Sequence, residues 1–155
     1  MKKLLFLFCA LFLMGCGSKT QTSEQQRTWN VGDVYNVDGR KGVVFAVSPD
    51  GQHGVMVSMT QTFASWKEGV TWTSSLGAGW RMPTIHELVL IGEVRQALNG
   101  VLYWEKGEPI CDFYWTNQEF EQNRNQAWYV FVGCDVLTDF ENKREYNYVR
   151  AVSAF

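Results

Sequence analysis

The sequence predicts an α+β domain, and three observations carry that prediction. Short aromatic and β-branched runs recur along the chain, one longer stretch has helical periodicity, and the runs fall in blocks before and after it. Aromatic residues make up 15% of the 155 residues, with 7 Trp, 6 Tyr and 10 Phe, and such residues favour sheet. The order strands, one main helix, then strands predicts antiparallel sheets with that helix packed on them.

The chain opens with Lys2 and Lys3 and an apolar run from Leu4 to Met14. A basic start, a short apolar core and small residues before a cleavage point make a secretory signal rather than a fold element. A bilayer-spanning helix needs roughly 18 or more apolar residues, so this run is too short. The ending Leu13-Met14-Gly15-Cys16 resembles the lipobox of bacterial lipoproteins. The resemblance implies that residues 1–15 are removed and that the mature chain starts at an acylated Cys16. Two or more acyl chains anchor a protein stably where one is marginal. Gly17 is not the aspartate that retains enteric lipoproteins on the inner membrane, so the outer membrane is expected, on its periplasmic or outer side. Residues 16–28 then form a lipidated cysteine and a polar tether.

From Trp29 to Phe155 the chain has the length of one domain. Trp29–Asn36 reads as a short strand ended by Asp38-Gly39. Val43–Val47 and Val55–Met59 flank Ser48-Pro49-Asp50-Gly51, where Pro presets φ and Gly accepts a positive one, so a hairpin is expected. Residues 60–79 hold Trp66 and Trp72 but no clear period and read as irregular. Thr84-Ile85-His86-Glu87 has the form of a capping box. Ile85, Leu88, Val89, Ile91, Val94 and Leu98 then give one apolar helical face over about 84–98, stopping near Asn99-Gly100. Asp112–Gln118 and Ala127–Gly133 read as strands joined by a polar loop, and Tyr146–Phe155 as a closing strand.

Cys9 leaves with the signal and Cys16 is lipidated, which leaves Cys111 and Cys134 in an oxidising compartment, where a disulfide is expected. Pairing the two across antiparallel strands sets Phe113 opposite Val132, Trp115 opposite Val130 and Asn117 opposite Trp128. Side chains alternate between faces, so this register collects an almost wholly apolar face.

Four motifs occur in order: Gly79-Trp80-Arg81-Met82-Pro83-Thr84 with Glu87-Leu88, Tyr114-Trp115-Thr116-Asn117, Ala127-Trp128-Tyr129-Val130, and Tyr148-Val149-Arg150-Ala151-Val152. Together they resemble the C-terminal domain of bacterial collagen-like adhesins and the related Fibrobacter-type paralogous surface domains, over most of residues 31–155. The resemblance implies a C-type-lectin-like fold and surface binding, with glycosaminoglycans or other host polymers as ligands of the adhesin branch. The chain departs from that pattern in having no collagen-like stalk and a shorter stretch at 60–79. Read physically, Trp80 is expected to seat the helix on the sheet and Arg81 to hold backbone carbonyls.

Signatures of catalysis are missing from the sequence. His53 and His86 have no metal-ligand spacing and read as structural. There is no nucleophile elbow or phosphate loop. Calcium needs six to eight oxygens; Glu108-Pro109-Ile110 and Trp115-Thr116-Asn117 lack the donors of the lectin motifs they resemble. Asp112, Asp135, Asp139 and Glu141 read as an acidic rim, so neither a metal nor a cofactor is expected. Taking Lys2 and Lys3 from 14 Lys and Arg leaves 12 against 16 Asp and Glu, a balance with no footprint for nucleic acid. Binding through aromatics remains. Tyr103 and Trp104 read as two rings on a loop between charges, with Asn117, Asn123 and Arg124 as secondary candidates. The expected function is non-catalytic binding of a glycan or protein ligand on the cell envelope. The alternatives are a subunit of a surface assembly, favoured by an apolar patch on an edge strand, and an enzyme with an unrecognised carboxylate site.

Overall fold

A computed structural model describes residues 27–155. The expected signal segment, Cys16 and the tether as far as residue 26 lie outside the described residues. The elements are β1 (Val34–Val37), β2 (Arg40–Val47), β3 (Gly54–Ser65), α1 (Trp66–Ser75), α2 (Ile85–Trp104), β4 (Asp112–Glu119), β5 (Gln126–Val132), β6 (Val136–Asn142) and β7 (Tyr146–Ala154). All seven strands form one sheet in the order β1-β2-β3-β7-β4-β5-β6. Neighbours are antiparallel except β4 and β7, which run parallel with Tyr114 beside Tyr148. The α+β class is met, among the described residues as a single mixed sheet with two helices rather than antiparallel sheets with one.

Local chemistry accounts for the turns. Asp38 and Gly39 both have positive φ, 52° and 77°, as a two-residue hairpin loop matched to strand twist requires. In the next hairpin Ser48 Oγ donates to Asp50 Oδ1 at 2.5 Å, and Asp50 Oδ1 also accepts the Gln52 amide at 3.0 Å. The start of α2 is the expected capping box: Glu87 N–H donates to Thr84 Oγ1 at 3.1 Å and Thr84 N–H to Glu87 Oε2 at 2.9 Å.

Several readings need correction. Residues 60–79 are not irregular, because β3 continues to Ser65 and α1 follows. A second capping box starts α1, with the Ser65 amide and hydroxyl both donating to Glu68 Oε2, at 3.0 and 2.6 Å. Nor does α2 stop at Asn99-Gly100; it runs on to Trp104. A mid-helix glycine costs about 1 kcal/mol, and the full burial of Leu98 and Leu102 on either side outweighs it. Finally, β6 was not foreseen, since its exposed acids hide the alternation of a strand.

The sheet is covered on both faces. α2 packs Leu88, Ile91, Leu98 and Leu102 over Val43, Val57, Tyr114, Val130, Val132 and Val152. On the opposite face, α1 and its indoles Trp66 and Trp72 cover Ala64, Trp115, Ala127 and Val149. Trp80 joins Trp29 and Tyr35 on that second face, over Val44, Met56 and Ala151. It therefore does not seat α2, as expected, but closes the layer across the sheet from it.

The two covered faces explain why the β4–β5 register differs from expectation by one residue. Asp112 faces Val132, Phe113 faces Phe131, Tyr114 faces Val130 and Trp115 faces Tyr129. Tyr114, not Trp115, shares the α2 face with Val130 and Val132. Both alternating sets of residues are apolar, so period-two patterning does not choose between the two registers. The expected disulfide is accordingly not formed: Cys111 and Cys134 are free and exposed.

Candidate functional site

The site is built at the C-terminal end of α2. Gly107 N–H donates to Leu102 O at 2.8 Å and Lys106 N–H to Tyr103 O at 3.3 Å, the bond pair of a Schellman cap. Lys106 takes the left-handed position, with φ 58°, at a cost of about 1 kcal/mol over glycine. Gly107 is closely packed: a Cβ there would lie 2.8 Å from Leu102 Cδ2 and 3.0 Å from Met59 O, so a larger residue would require both neighbours to shift.

The turn beyond the cap is clamped to the sheet. Asn99 holds the backbone of Ile110 from both sides, Nδ2 donating to its carbonyl at 2.9 Å and Oδ1 accepting its amide at 2.8 Å. Glu108 N–H donates to Met59 O at 2.9 Å, and Gln61 N–H to Glu108 Oε2 at 2.5 Å. These bonds are available because β3 breaks register with β7 between Val57 and Gln61, a bulge that turns carbonyls out of the ladder.

Arg150 fills the bulge. It is 1% exposed, and its guanidinium donates to the carbonyls of Ser58 at 3.0 Å, Glu108 at 2.8 Å and Met59 at 3.4 Å, and to Gln61 Oε1 at 2.9 Å. Gln61 Oε1 also accepts Tyr114 Oη at 2.7 Å. Burial pulls the Arg150 pKa down to about 10, against the opposing influence of Tyr114 and Glu108. Burial pushes Tyr114 up to about 12, offset in part by the Arg150 charge. Arg150 thus ties β7, the β3 bulge and the turn after α2 into one rigid mount.

On this mount stand Tyr103 and Trp104, 76% and 81% exposed, the most open large apolar side chains among the described residues. Their rings meet edge to face, centroids 5.6 Å apart at 78°. The flanking Glu105 pairs with Lys41 at 2.7 Å. The two rings therefore sit on the last helical turn rather than on the loop expected, and Trp104 is not part of the core.

The other expected site residues lie elsewhere. Asn117 is exposed near the far end of β4, its amide donating to Pro83 O at 2.8 Å. Asn123 and Arg124 are exposed in the β4–β5 hairpin, where Asn123 Oδ1 accepts the Asn125 amide at 3.0 Å. That end of β4 meets the N-terminus of α2, since Ile85 N–H donates to Gln118 Oε1 at 2.9 Å. The length of α2, roughly 30 Å at 1.5 Å per residue, separates these residues from Tyr103 and Trp104. The structure brings together the aromatic pair and leaves the three polar candidates at the opposite end.

Two features were not singled out from sequence. One is Arg150, whose signal is a charge in the middle of an apolar strand. The other is an apolar row on the face away from α2, where Phe113, Phe131 and Leu137 stand opposite one another across β4, β5 and β6. Phe113 and Leu137 are 44% and 62% exposed, and Phe113 and Phe131 lie 4.7 Å apart. Only the ladder aligns the three.

The carboxylates with displaced pKa are all held ionised. Asp50 is lowered by the Ser48 hydroxyl and Glu68 by Ser65. In Glu87 burial pushes upward but is outweighed by hydrogen bonds from Arg81 and Thr84, and Glu119 is lowered by Lys143. Arg81 holds Glu87 in a two-pronged pair at 2.6 and 2.8 Å, and the Met82 carbonyl at 3.2 Å. Among the described residues no three His, Cys, Asp or Glu side chains gather in a metal-binding group; Asp139 and Glu141 are neighbours on one face of β6. His53 and His86 are exposed rather than packed.

No protein-family model matches this chain, and no curated protein does. Among solved structures it is similar to one described as "Crystal structure of EMS16, an Antagonist of collagen receptor integrin alpha2beta1 (GPIa/IIa)". The identity is 13% and the TM-score 0.44, over 68% of this chain and 94% of that one.

Proposed function

We propose that this chain is an exported cell-envelope lipoprotein whose C-type-lectin-like domain, residues 29–155, binds an extracellular ligand without catalysis. In this reading Tyr103 and Trp104 are the contact, and a glycan, glycosaminoglycan or protein is the ligand. The observation that carries it is the exposure of two large rings, 76% and 81%, on a turn held by part-buried hydrogen bonds from Asn99 and Arg150. Aromatic rings with a polar tip suit stacking on sugars or gripping a peptide. A mount that is already rigid lowers the ordering cost of binding. Anchoring through an acylated Cys16 to the outer membrane rests on the lipobox and on Gly17.

The test is an array of glycans and matrix proteins probed with soluble residues 19–155, with and without a calcium chelator. Chelator-insensitive binding that Trp104→Ala abolishes is expected. Binding that survives Trp104→Ala would remove the aromatic pair from the site, and silence across the arrays would sink the reading. Labelling with a radioactive fatty acid checks the anchor separately: incorporation should vanish in Cys16→Ser.

A further inference from the structure

We propose that the free edge of β6 is a docking strand for an extended, basic segment of another protein, which adds an eighth strand to the sheet. β6 is the last strand in the sheet order, and seven consecutive residue pairs join it to β5 without a bulge. The other edge strand, β1, has four residues. A long, regular edge is a template for a further strand.

The side chains along β6 specify what that strand carries. On the face away from α2, Leu137, Asp139 and Glu141 follow one another at alternate positions, opposite Phe131, Tyr129 and Ala127. Leu137 is 62% exposed and continues the apolar row of Phe131 and Phe113. Asp139 and Glu141 have no cationic partner: no Lys or Arg occurs between residues 125 and 142, and none of the ion pairs among the described residues involves them. Asp139 Oδ1 accepts the Phe140 amide at 2.8 Å, and Glu141 Oε2 accepts Asn147 Nδ2 at 3.2 Å. Asp139 also meets the Tyr129 hydroxyl, so an added strand meets an apolar position and then two carboxylates that have polar but no cationic partners, each two residues further on. The complementary pattern is an apolar residue and two Lys or Arg at alternate positions, in that order for a parallel strand and in the reverse order for an antiparallel one, since opposite charges across strands stabilise and like charges destabilise. A second copy of this chain is disfavoured in the register centred on the strand: antiparallel pairing of β6 with itself about Asp139 sets Asp139 against Asp139 and Leu137 against Glu141.

The experiment uses the full chain in a non-denaturing detergent and measures amide hydrogen exchange residue by residue. The probe is a short synthetic peptide alternating threonine with valine, lysine and lysine; the control carries glutamate in place of lysine. The lysine peptide is expected to slow exchange along Val136–Asn142, and high salt to reverse it. Asp139→Lys and Leu137→Thr, both at exposed positions, are each expected to weaken binding by roughly tenfold or less, as single cross-strand contacts do. Equal protection by the glutamate peptide, protection on β1 instead, or none at all would overturn the proposal. So would slowed exchange in β6 that depends on protein concentration without peptide, because that outcome identifies a second copy as the partner.

Discussion

The two ends of α2 satisfy the same physical requirement in opposite ways. Both must provide for backbone groups the helix leaves unpaired. At the N-terminus the partners are local: Thr84, Glu87 and Arg81 lie within six residues and close on themselves. At the C-terminus the cap is local, but the turn it leads into is held by Arg150 and Met59, groups 42 to 92 residues distant from those they bond. The N-terminal end spends its polar side chains on the cap and buries Met82 and Pro83 beside it. The C-terminal end takes its support from below, which frees Tyr103 and Trp104 to face outward. A helix end that is held from beneath by the sheet can present large rings without losing order, and that is what a contact surface requires.

The largest effect expected from breaking this contrast is at Arg150. Arg150→Met leaves the carbonyls of Ser58, Met59 and Glu108 without their buried donor. A loss of about 3–5 kcal/mol is expected in urea unfolding, with Ile110 and the turn before it losing exchange protection first. A loss below about 1 kcal/mol would mean that the mount stands without its arginine.

At the other end, Glu87→Gln removes the Arg81 pair and weakens the cap, and about 1–2 kcal/mol is expected. Glu87 also sets a pH dependence. Its folded pKa lies below the ordinary 4.5, so its contribution is complete above that value and is lost as pH falls through the lower, folded pKa. Stability is expected to fall in that acid range, and the fall should be shallower in Glu87→Gln; an unchanged acid limb would remove Glu87 as its cause.

Smaller effects sharpen the contrast. Lys106→Gly relieves a positive φ and is expected to stabilise the domain by about 0.5–1 kcal/mol, less the added freedom of the unfolded chain, measured by thermal unfolding. Trp104→Ala is expected to change stability by less than about 0.5 kcal/mol while abolishing ligand capture; a large destabilisation would make the indole structural. Titration of residues 19–155 with a thiol reagent, unreduced, is expected to find Cys111 and Cys134 both reactive, and protection of the pair would contradict the two free thiols.

Much of this was legible because it is written locally. The Asp38-Gly39 turn, the hairpin at Pro49-Asp50-Gly51 and the Thr84–Glu87 box are each chemistry within four residues, and each formed as read. The same kind of signal stands at Ser65-Trp66-Lys67-Glu68, but α1 has too few apolar positions to announce a helix. β6 was hidden for a different reason: a strand with one open edge and a half-open face has no need to alternate. The aromatic pair is legible in its local setting, two rings followed by charges at Glu105, Lys106 and Glu108, whereas Asn117, Asn123 and Arg124 stand as candidates beside it only because nothing in the sequence says which end of β4 lies near which end of α2.

The sequence by itself determined the α+β class, the turns, the helix start and the presence of two large rings between charges, because backbone preference and side-chain periodicity act over a few residues. Only the tertiary structure decided which face of β4 meets α2, that Cys111 and Cys134 are free and exposed, that Arg150 supports the turn, and that Trp104 is exposed. Both faces of the sheet are buried, so apolar patterning is degenerate there. What breaks the degeneracy is which helix covers each face and where a bulge 90 residues earlier in the chain leaves carbonyls for an arginine to fill.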